Sequence, residues 1–160
     1  MANPIVTITM ESGDVIKVEL YPEIAPNTVN NFISLVKKGF YNGLTIHRVQ
    51  QNFVIQGGDP NGDGLADDGL ETVEGEFLDN YHYNNIKHKK GVISMARSNA
   101  FNSASSQFFI VQSDDPLVKQ SLDGKYAAFG HVTKGIEIVD KIAKETQVVD
   151  DNGTVLKEHQ

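Results

Sequence analysis

The 160-residue sequence contains no cysteine and no tryptophan, and its 14 Lys and Arg are outnumbered by 21 Asp and Glu. Without cysteine the chain can form no disulfide and no reactive thiolate, which fits a reducing compartment. The net charge of −7 argues against nucleic-acid binding, which needs a basic face, and against attachment to an anionic membrane surface.

Long apolar segments are also absent. No run approaches the roughly 18 apolar residues of a membrane span, and the start MANPIVTITM lacks the basic and apolar regions of a signal peptide. A chain of this length fits one domain with a real core. We therefore expect a single cytoplasmic domain over residues 1–160, and nothing in the sequence predicts an obligate dimer.

The hydrophobic pattern predicts a mainly β fold with two helices. The first helix, over 26–38, begins at Pro26, is followed by Gly39, and has apolar residues at i, i+3, i+4 and i+7 from Val29. The second helix is predicted over 135–145. Many short strands with two helices favour a single closed β structure whose ends the helices cover. The predicted strands cover residues 4–10, 15–20, 44–49, 52–56, 91–96, 107–112 and 127–132.

An acidic stretch over 57–71, GGDPNGDGLADDGLE, resembles the start of a calcium-binding loop, with Asp59, Asn61 and Asp63 at ligand positions 1, 3 and 5. Position 12, where a bidentate Glu is needed, is Leu70. The run FVIQ before the loop is typical of a strand rather than of the entering helix. We interpret the segment as a solvated acidic loop, with a calcium-dependent module as the alternative.

Other catalytic motifs are missing. The five histidines form no H-x-x-x-H or H-E-x-x-H pair, so the sequence predicts no zinc site. No G-x-S-x-G is present, and no Gly-rich phosphate loop is followed by Lys-Ser or Lys-Thr. What remains is IHRVQQNFVIQGGD, residues 46–59, in which a regular strand would place Ile46 and Arg48 on one face and His47 and Val49 on the other. An arginine among such apolar strands needs partners or water.

This segment resembles the strand-pair signature of the cyclophilins, the peptidyl-prolyl cis/trans isomerases. Three further blocks are similar to the family in the same order, and MAR followed by NSASSQFFI is similar to its compact bacterial branch. The resemblance covers residues 5–145. The further blocks are GVISMAR (91–97), SSQFFI (105–110) and LDGKYAAFGHV (122–132).

The resemblance implies a closed eight-stranded antiparallel β-barrel capped by two α-helices, with the active groove on the outer wall. It also implies proline-containing peptides and unfolded proteins as partners, no cofactor and no metal. The chain stops at LKEHQ, so either the last strand is truncated or residues 148–149 and 154–156 complete the barrel.

The resemblance also implies the site. Arg48 matches the catalytic arginine, which would stabilise the twisted prolyl amide, and the other matched residues bind substrate. Because rotation about the peptide bond breaks no covalent bond, the reaction needs no nucleophile. The matched substrate-binding residues are His47, Phe53, Val54, Gln56, Ala96, Gln107, Phe109, Leu122 and Tyr126.

Two departures from the family qualify this expectation. Ser121 stands where many members carry a Trp that contacts cyclosporin, so we expect weak cyclosporin binding with retained activity. Several positions of the loop beside the groove are acidic, so the segment over 59–79 could favour basic client peptides. The alternative within the same fold is a non-catalytic module or chaperone that holds proline peptides without isomerising them.

Overall fold

The computed structural model describes residues 3–62, 70–146, 148 and 155. These residues form seven strands, three α-helices and a short 3-10 helix at Leu78–Asn80. No helix in this part of the chain is long and apolar enough to cross a membrane. The strands are β1 (Ile5–Thr9), β2 (Val15–Leu20), β3 (Ile46–Gln50), β4 (Val54–Gly57), β5 (Val92–Met95), β6 (Phe108–Val111) and β7 (Ala128–Lys134), and the helices are α1 (Pro26–Lys37), α2 (Pro116–Leu122) and α3 (Ile136–Glu145).

The strands form one antiparallel sheet in the order β1-β2-β7-β5-β6-β4-β3. Every strand contributes side chains to one large apolar cluster, which also receives residues from α1 and α3. A flat sheet of seven strands could not bring both of its edges to one cluster, so the sheet curls around it. The predicted mainly β architecture is confirmed.

Closure of the barrel by an eighth strand is a separate matter. Strands β1 and β3 are the two sheet edges, and the described residues include no pairing between them. Val155 lies next to the β3 edge, because its backbone N–H donates to the carbonyl of His47 at 3.1 Å and its side chain is buried in the large cluster. The other tail residues predicted to complete the barrel are Val148, which is exposed, and residues 149, 154 and 156, which lie outside the described residues.

The prediction of two helices is wrong, because the described residues also contain α2. The Asp115 side chain caps this helix by accepting from the backbone N–H of Leu117 at 2.9 Å, and Pro116 occupies the first helical position. Val118 and Leu122 are its buried residues. Seven residues span only about two turns, which is too short to establish a helical period, so the sequence pattern did not reveal this helix.

The start of α1 is capped from a distant part of the chain. Ala25 stands at the N-cap and offers no side-chain acceptor. The buried carboxylate of Glu76 instead accepts from the backbone N–H of Thr28 at 2.6 Å and of Asn27 at 3.2 Å, and from the Thr28 hydroxyl at 2.6 Å. These bonds satisfy N–H groups that the helix itself leaves unpaired.

The central strands are buried on both faces. Ile55 of β4 and Ile110 of β6 belong to the large cluster, whereas Val54 and Phe109, their neighbours in sequence, belong to a second, smaller cluster. We call the side toward the large cluster the inner face and the opposite side the pocket face. The pocket face is the outer wall of the curled sheet, where the site is predicted.

Candidate active site

A pocket of about 380 Å³ opens on the pocket face between β3, β4, β6, the end of β5 and the C-terminal end of α2. Nine of the ten residues predicted for the site line it, and the tenth, Gln107, hydrogen-bonds to the lining residue Gln56 at 3.0 Å. The structure therefore brings the predicted residues together, although they lie far apart in sequence. The lining residues are His47, Arg48, Phe53, Val54, Gln56, Gly62, Ala96, Arg97, Phe109, Leu122 and Tyr126.

An irregularity in β3 places two consecutive residues in this pocket. The β3–β4 pairing passes from Ile46 opposite Gly57 to Arg48 opposite Gln56, so that His47 is an extra residue in β3. Such a bulge interrupts the strict alternation of side chains. His47 and Arg48 accordingly both line the pocket, whereas regular alternation placed them on opposite faces.

The Arg48 guanidinium is held by two glutamines and an aromatic ring. One terminal nitrogen donates to Gln56 Oε1 at 3.2 Å and the other to Gln50 Oε1 at 3.0 Å. Its central carbon lies 5.9 Å from the centre of the Phe53 ring. These contacts fix a permanently charged, multiply donating group at the pocket wall.

Gln56 connects the arginine to a second strand. Its Oε1 accepts from Arg48, and its amide nitrogen donates to Gln107 Oε1. Gln107 is the residue directly before β6. The two bonds use opposite ends of the same amide, which defines its orientation. The Arg48–Gln56–Gln107 chain is therefore a preorganised polar wall on one side of the pocket.

The remaining lining is mostly apolar. Val54, Phe109 and Leu122 are almost fully buried and belong to the second cluster, in which Phe53, Ala96 and Tyr126 also pack. The ring of Tyr126 meets that of Phe109 edge to face, with centroids 5.5 Å apart. The pocket thus joins this apolar lining to the polar wall that carries the Arg48 guanidinium.

Sequence reasoning missed two lining residues, Gly62 and Arg97. Arg97 donates through Nε and Nη2 to the carbonyl of Lys125, at 3.0 Å and 2.6 Å, and lies 4.8 Å from the centre of the Tyr126 ring. It therefore contacts both the Tyr126 ring and the backbone that precedes it. The sequence offered one indication of this role, since Arg97 directly follows the predicted site residue Ala96. Its hydrogen-bond partner Lys125 lies 28 residues away, so no local spacing indicates the contact.

The acidic segment is only partly described. Asp59 is buried, and its Oδ1 accepts from the backbone N–H of Asn61 at 3.2 Å. The described residues contain no group of three side chains that could hold a metal ion. Residues 63–69, which include the proposed calcium ligand Asp63, lie outside the described residues, so the calcium alternative stays untested.

Comparison with known proteins identifies relatives of this chain. Residues 5–159 match the family model "Cyclophilin type peptidyl-prolyl cis-trans isomerase/CLD". The chain is 42% identical over 149 residues to peptidyl-prolyl cis-trans isomerase B of Bacillus subtilis, covering 93% of this chain and 92% of that protein. It is 40% identical over 144 residues to a peptidyl-prolyl cis-trans isomerase of Acinetobacter baylyi, covering 89% of this chain and 73% of that one.

The fold has relatives among solved structures. It is similar to a cyclophilin-type peptidyl-prolyl cis-trans isomerase of Cryptosporidium parvum crystallised in the presence of the dipeptide Ala-Pro. The TM-score is 0.79 at 28% sequence identity, with 96% of this chain and 92% of that chain covered.

Proposed function

The chain belongs to the cyclophilin-type peptidyl-prolyl cis-trans isomerases, and we propose that it catalyses the reaction in the pocket described above, with Arg48 stabilising the twisted prolyl amide. The enzyme class follows from the family model and the named relatives. The observation that supports the site is the Arg48–Gln56–Gln107 chain beside an apolar cavity.

The reaction requires stabilisation of a rotated peptide bond. The barrier to rotation is roughly 18–20 kcal/mol, because rotation removes amide resonance. In the twisted state the prolyl nitrogen regains a localised lone pair, which accepts a hydrogen bond that the planar amide accepts poorly. A donor at that nitrogen therefore stabilises the transition state more than the ground state. Arg48 is the proposed donor, since Arg97, the other arginine in the lining, donates to the backbone carbonyls of Lys125 and Ser98.

The required stabilisation is modest. A barrier near 20 kcal/mol corresponds to an uncatalysed rate on the order of 10⁻² per second, and a rate of about 10³ per second needs roughly 7 kcal/mol less. One preorganised donor supplies about 3–4 kcal/mol of this difference. Desolvation in the apolar cavity and anchoring of the substrate chain supply the rest.

The apolar lining suits the substrate. Phe53, Phe109 and Leu122 offer a cavity for the pyrrolidine ring, and Gln56 can hold a substrate carbonyl while the other side of the bond turns. The Cryptosporidium relative was crystallised in the presence of Ala-Pro. We accordingly propose proline-containing peptides and unfolded proteins as the substrates of this chain.

We also propose the domain extent, barrel closure, oligomeric state, location and cyclosporin affinity of the protein. Residues 1–160 would form one domain with a closed barrel, and the bond from the Val155 N–H to the His47 carbonyl at the β3 edge supports this closure. The protein would act as a cytoplasmic monomer. Cyclosporin would bind weakly, because Ser121 donates to the Val118 carbonyl at 2.8 Å and presents no aromatic surface.

The decisive experiment is an isomerase assay on an Ala-Pro peptide, followed by protease coupling or by NMR exchange. Replacing Arg48 by Ala should lower kcat/KM by about 10²- to 10³-fold, the usual effect of removing one preorganised donor. Arg48→Lys keeps the charge but loses the forked guanidinium that contacts both glutamines. Its kcat/KM should therefore lie between that of the wild type and that of Arg48→Ala.

The controls separate mechanism from folding. Both variants should unfold in urea at the wild-type midpoint, because Arg48 lies on the pocket face and its loss leaves the large cluster intact. Full activity of Arg48→Ala would contradict the mechanism. A wild-type protein that binds the peptide but shows no rate above background would instead support the non-catalytic module.

A further inference from the structure

We use the name rim loop for residues 122–126, which begin at the last residue of α2 and include two lining residues, Leu122 and Tyr126. It is tied down by backbone and side-chain hydrogen bonds from other segments. The Gly124 carbonyl accepts from the backbone N–H of Asp79 at 2.8 Å, and the Lys125 carbonyl accepts from Arg97. The third tie is made by the carboxylate of Asp123, the residue next to Leu122.

That carboxylate is bound by His88. Asp123 Oδ1 lies 2.9 Å from His88 Nδ1 and also accepts from the backbone N–H of His88 at 2.6 Å. The imidazole is only 1% exposed. A buried ring bonded in this way holds the rim loop at a defined distance from the segment before β5.

The other side of the same ring contacts β5 and the ring of Phe109, which lines the pocket. His88 Nε2 lies 3.0 Å from the hydroxyl of Ser94, which stands opposite Phe109 in the β5–β6 pairing. The imidazole also lies nearly parallel to the Phe109 ring, at 22° and with centroids 6.1 Å apart. One side chain therefore contacts both the loop that carries Leu122 and the strands that carry Phe109.

We propose that His88 is a positioning residue that sets the width of the proline pocket by holding the rim loop against β5 and β6. This inference rests on the proposed function for its kinetic consequence, but its geometric part concerns the pocket alone. His88 itself does not line the pocket and so acts through Leu122 and Phe109.

The chemistry of imidazole suits this position. A neutral ring offers one donor and one acceptor, so Nδ1–H donates to the carboxylate of Asp123 and Nε2 accepts from the hydroxyl of Ser94. Burial lowers the pKa of His88 although Asp123 raises it, which favours this neutral form. The same Asp–His–Ser order occurs in hydrolases, but Ser94 is fully buried and no substrate can reach it.

Three substitutions of His88 distinguish the role of its Nδ1 contact with Asp123 from that of its Nε2 contact with Ser94. His88→Asn places an amide nitrogen near the Nδ1 position and keeps a donor for Asp123, whereas His88→Gln extends to the Nε2 position and keeps the contact with Ser94. His88→Phe retains the stacked ring and removes both bonds. The matched control is Thr28→Val, which removes one buried hydrogen bond at the start of α1, away from the pocket.

The measurements are kcat and KM on an Ala-Pro peptide, well below each unfolding midpoint, and NMR spectra of the free proteins. We expect KM to rise about threefold to tenfold in His88→Phe, with kcat changed less than twofold, because a wider pocket binds the ring less well. Between the two amide variants, the Leu122 methyl signals should shift more in His88→Gln and the Phe109 ring signals more in His88→Asn, while Thr28→Val shifts neither.

The two proposals fail in different ways. An inactive wild-type protein would overturn the proposed function, and the NMR comparison would still test the role of His88. If the wild type is active and all three His88 variants match Thr28→Val in KM and in the Leu122 and Phe109 signals, His88 is only a stabilising residue and the inference is wrong.

Discussion

On β4 and β6, neighbouring residues point to opposite faces of the sheet and enter surroundings of different chemistry. On the inner face, Phe32 of α1 packs against the rings of Phe108 and Phe129, at centroid distances of 5.7 Å and 5.2 Å. On the pocket face, apolar side chains alternate with polar ones that bond across segments, such as Gln56 with Gln107.

Because the two faces differ in chemistry, we expect the inner face to contribute mainly to stability and the pocket face mainly to the positioning of the site residues. Apolar packing is non-directional and contributes mainly to stability. Hydrogen bonds have defined geometry and place groups relative to one another. Substitutions on the inner face should therefore change the free energy of unfolding and spare the chemistry, whereas substitutions on the pocket face should do the reverse.

The largest effect is expected from Phe32→Ala on the inner face. Emptying a fully buried aromatic site costs about 3–5 kcal/mol. The free energy of unfolding, from urea titration, should fall by that amount, while kcat/KM per folded molecule stays within twofold of wild type. Phe32→Leu is the milder variant should the alanine form not fold. A large loss of kcat/KM in the folded variant would contradict the prediction that inner-face substitutions change stability and not activity.

A polar residue that serves the core should behave as an inner-face residue. Glu76→Gln keeps one acceptor oxygen and replaces the other by an NH₂, so the N–H group of either Asn27 or Thr28 loses its acceptor and the cap of α1 is weakened. Leaving a buried donor without its acceptor costs about 1–3 kcal/mol. Thermal or urea unfolding measures this, with Glu74→Gln as the exposed control. Equal stability of the two variants would show that the cap contributes nothing.

The inner face was also the part that the sequence predicted best. Apolar periodicity gave α1 as 26–38 against the observed Pro26–Lys37 and the last helix as 135–145 against Ile136–Glu145. Periodicity succeeds there because burial selects for side-chain character along one short segment. It failed for α2, whose seven residues are too few.

The site was predicted through resemblance rather than through pattern. Alternation alone separated His47 from Arg48, because a bulge leaves no mark in the order of apolar residues. The contacts of Arg97 and of His88 join residues 28 and 35 positions apart, so no local spacing reveals them. Such long-range bonds are set by the fold and become visible only when the segments are brought together.

On the pocket face, Gln56→Leu tests the polar wall. The substitution removes the amide that orients Arg48 and leaves the inner face unchanged. We expect kcat/KM to fall about tenfold, or about 1.4 kcal/mol, since a less well-held donor stabilises the twisted amide less. The exposed residue Gln51 provides the control, as Gln51→Leu. If the variant lost more free energy of unfolding than transition-state stabilisation, Gln56 would act mainly in stability, and its role in orienting Arg48 would be contradicted.

The smallest effect concerns pH and stability. Burial lowers the pKa of His88 below its ordinary value of 6.5, against the opposing influence of Asp123. As pH falls below 6.5, the unfolded chain takes up a proton at this residue and the folded protein does not. Stability therefore falls with decreasing pH, until the lowered pKa of the folded state is reached. One such group contributes at most about 1.4 kcal/mol per pH unit.

The measurement is urea unfolding of wild type and His88→Gln at pH 7, 6 and 5. Because glutamine does not titrate, the stability advantage of wild type over the variant should shrink as the pH falls. The difference between wild type and Phe32→Ala should stay constant over the same range, since no titrating group is altered on the inner face. A constant difference for His88→Gln as well would mean that the imidazole takes up its proton equally in both states, and the pocket face would then lose the pH dependence that distinguishes it from the inner face.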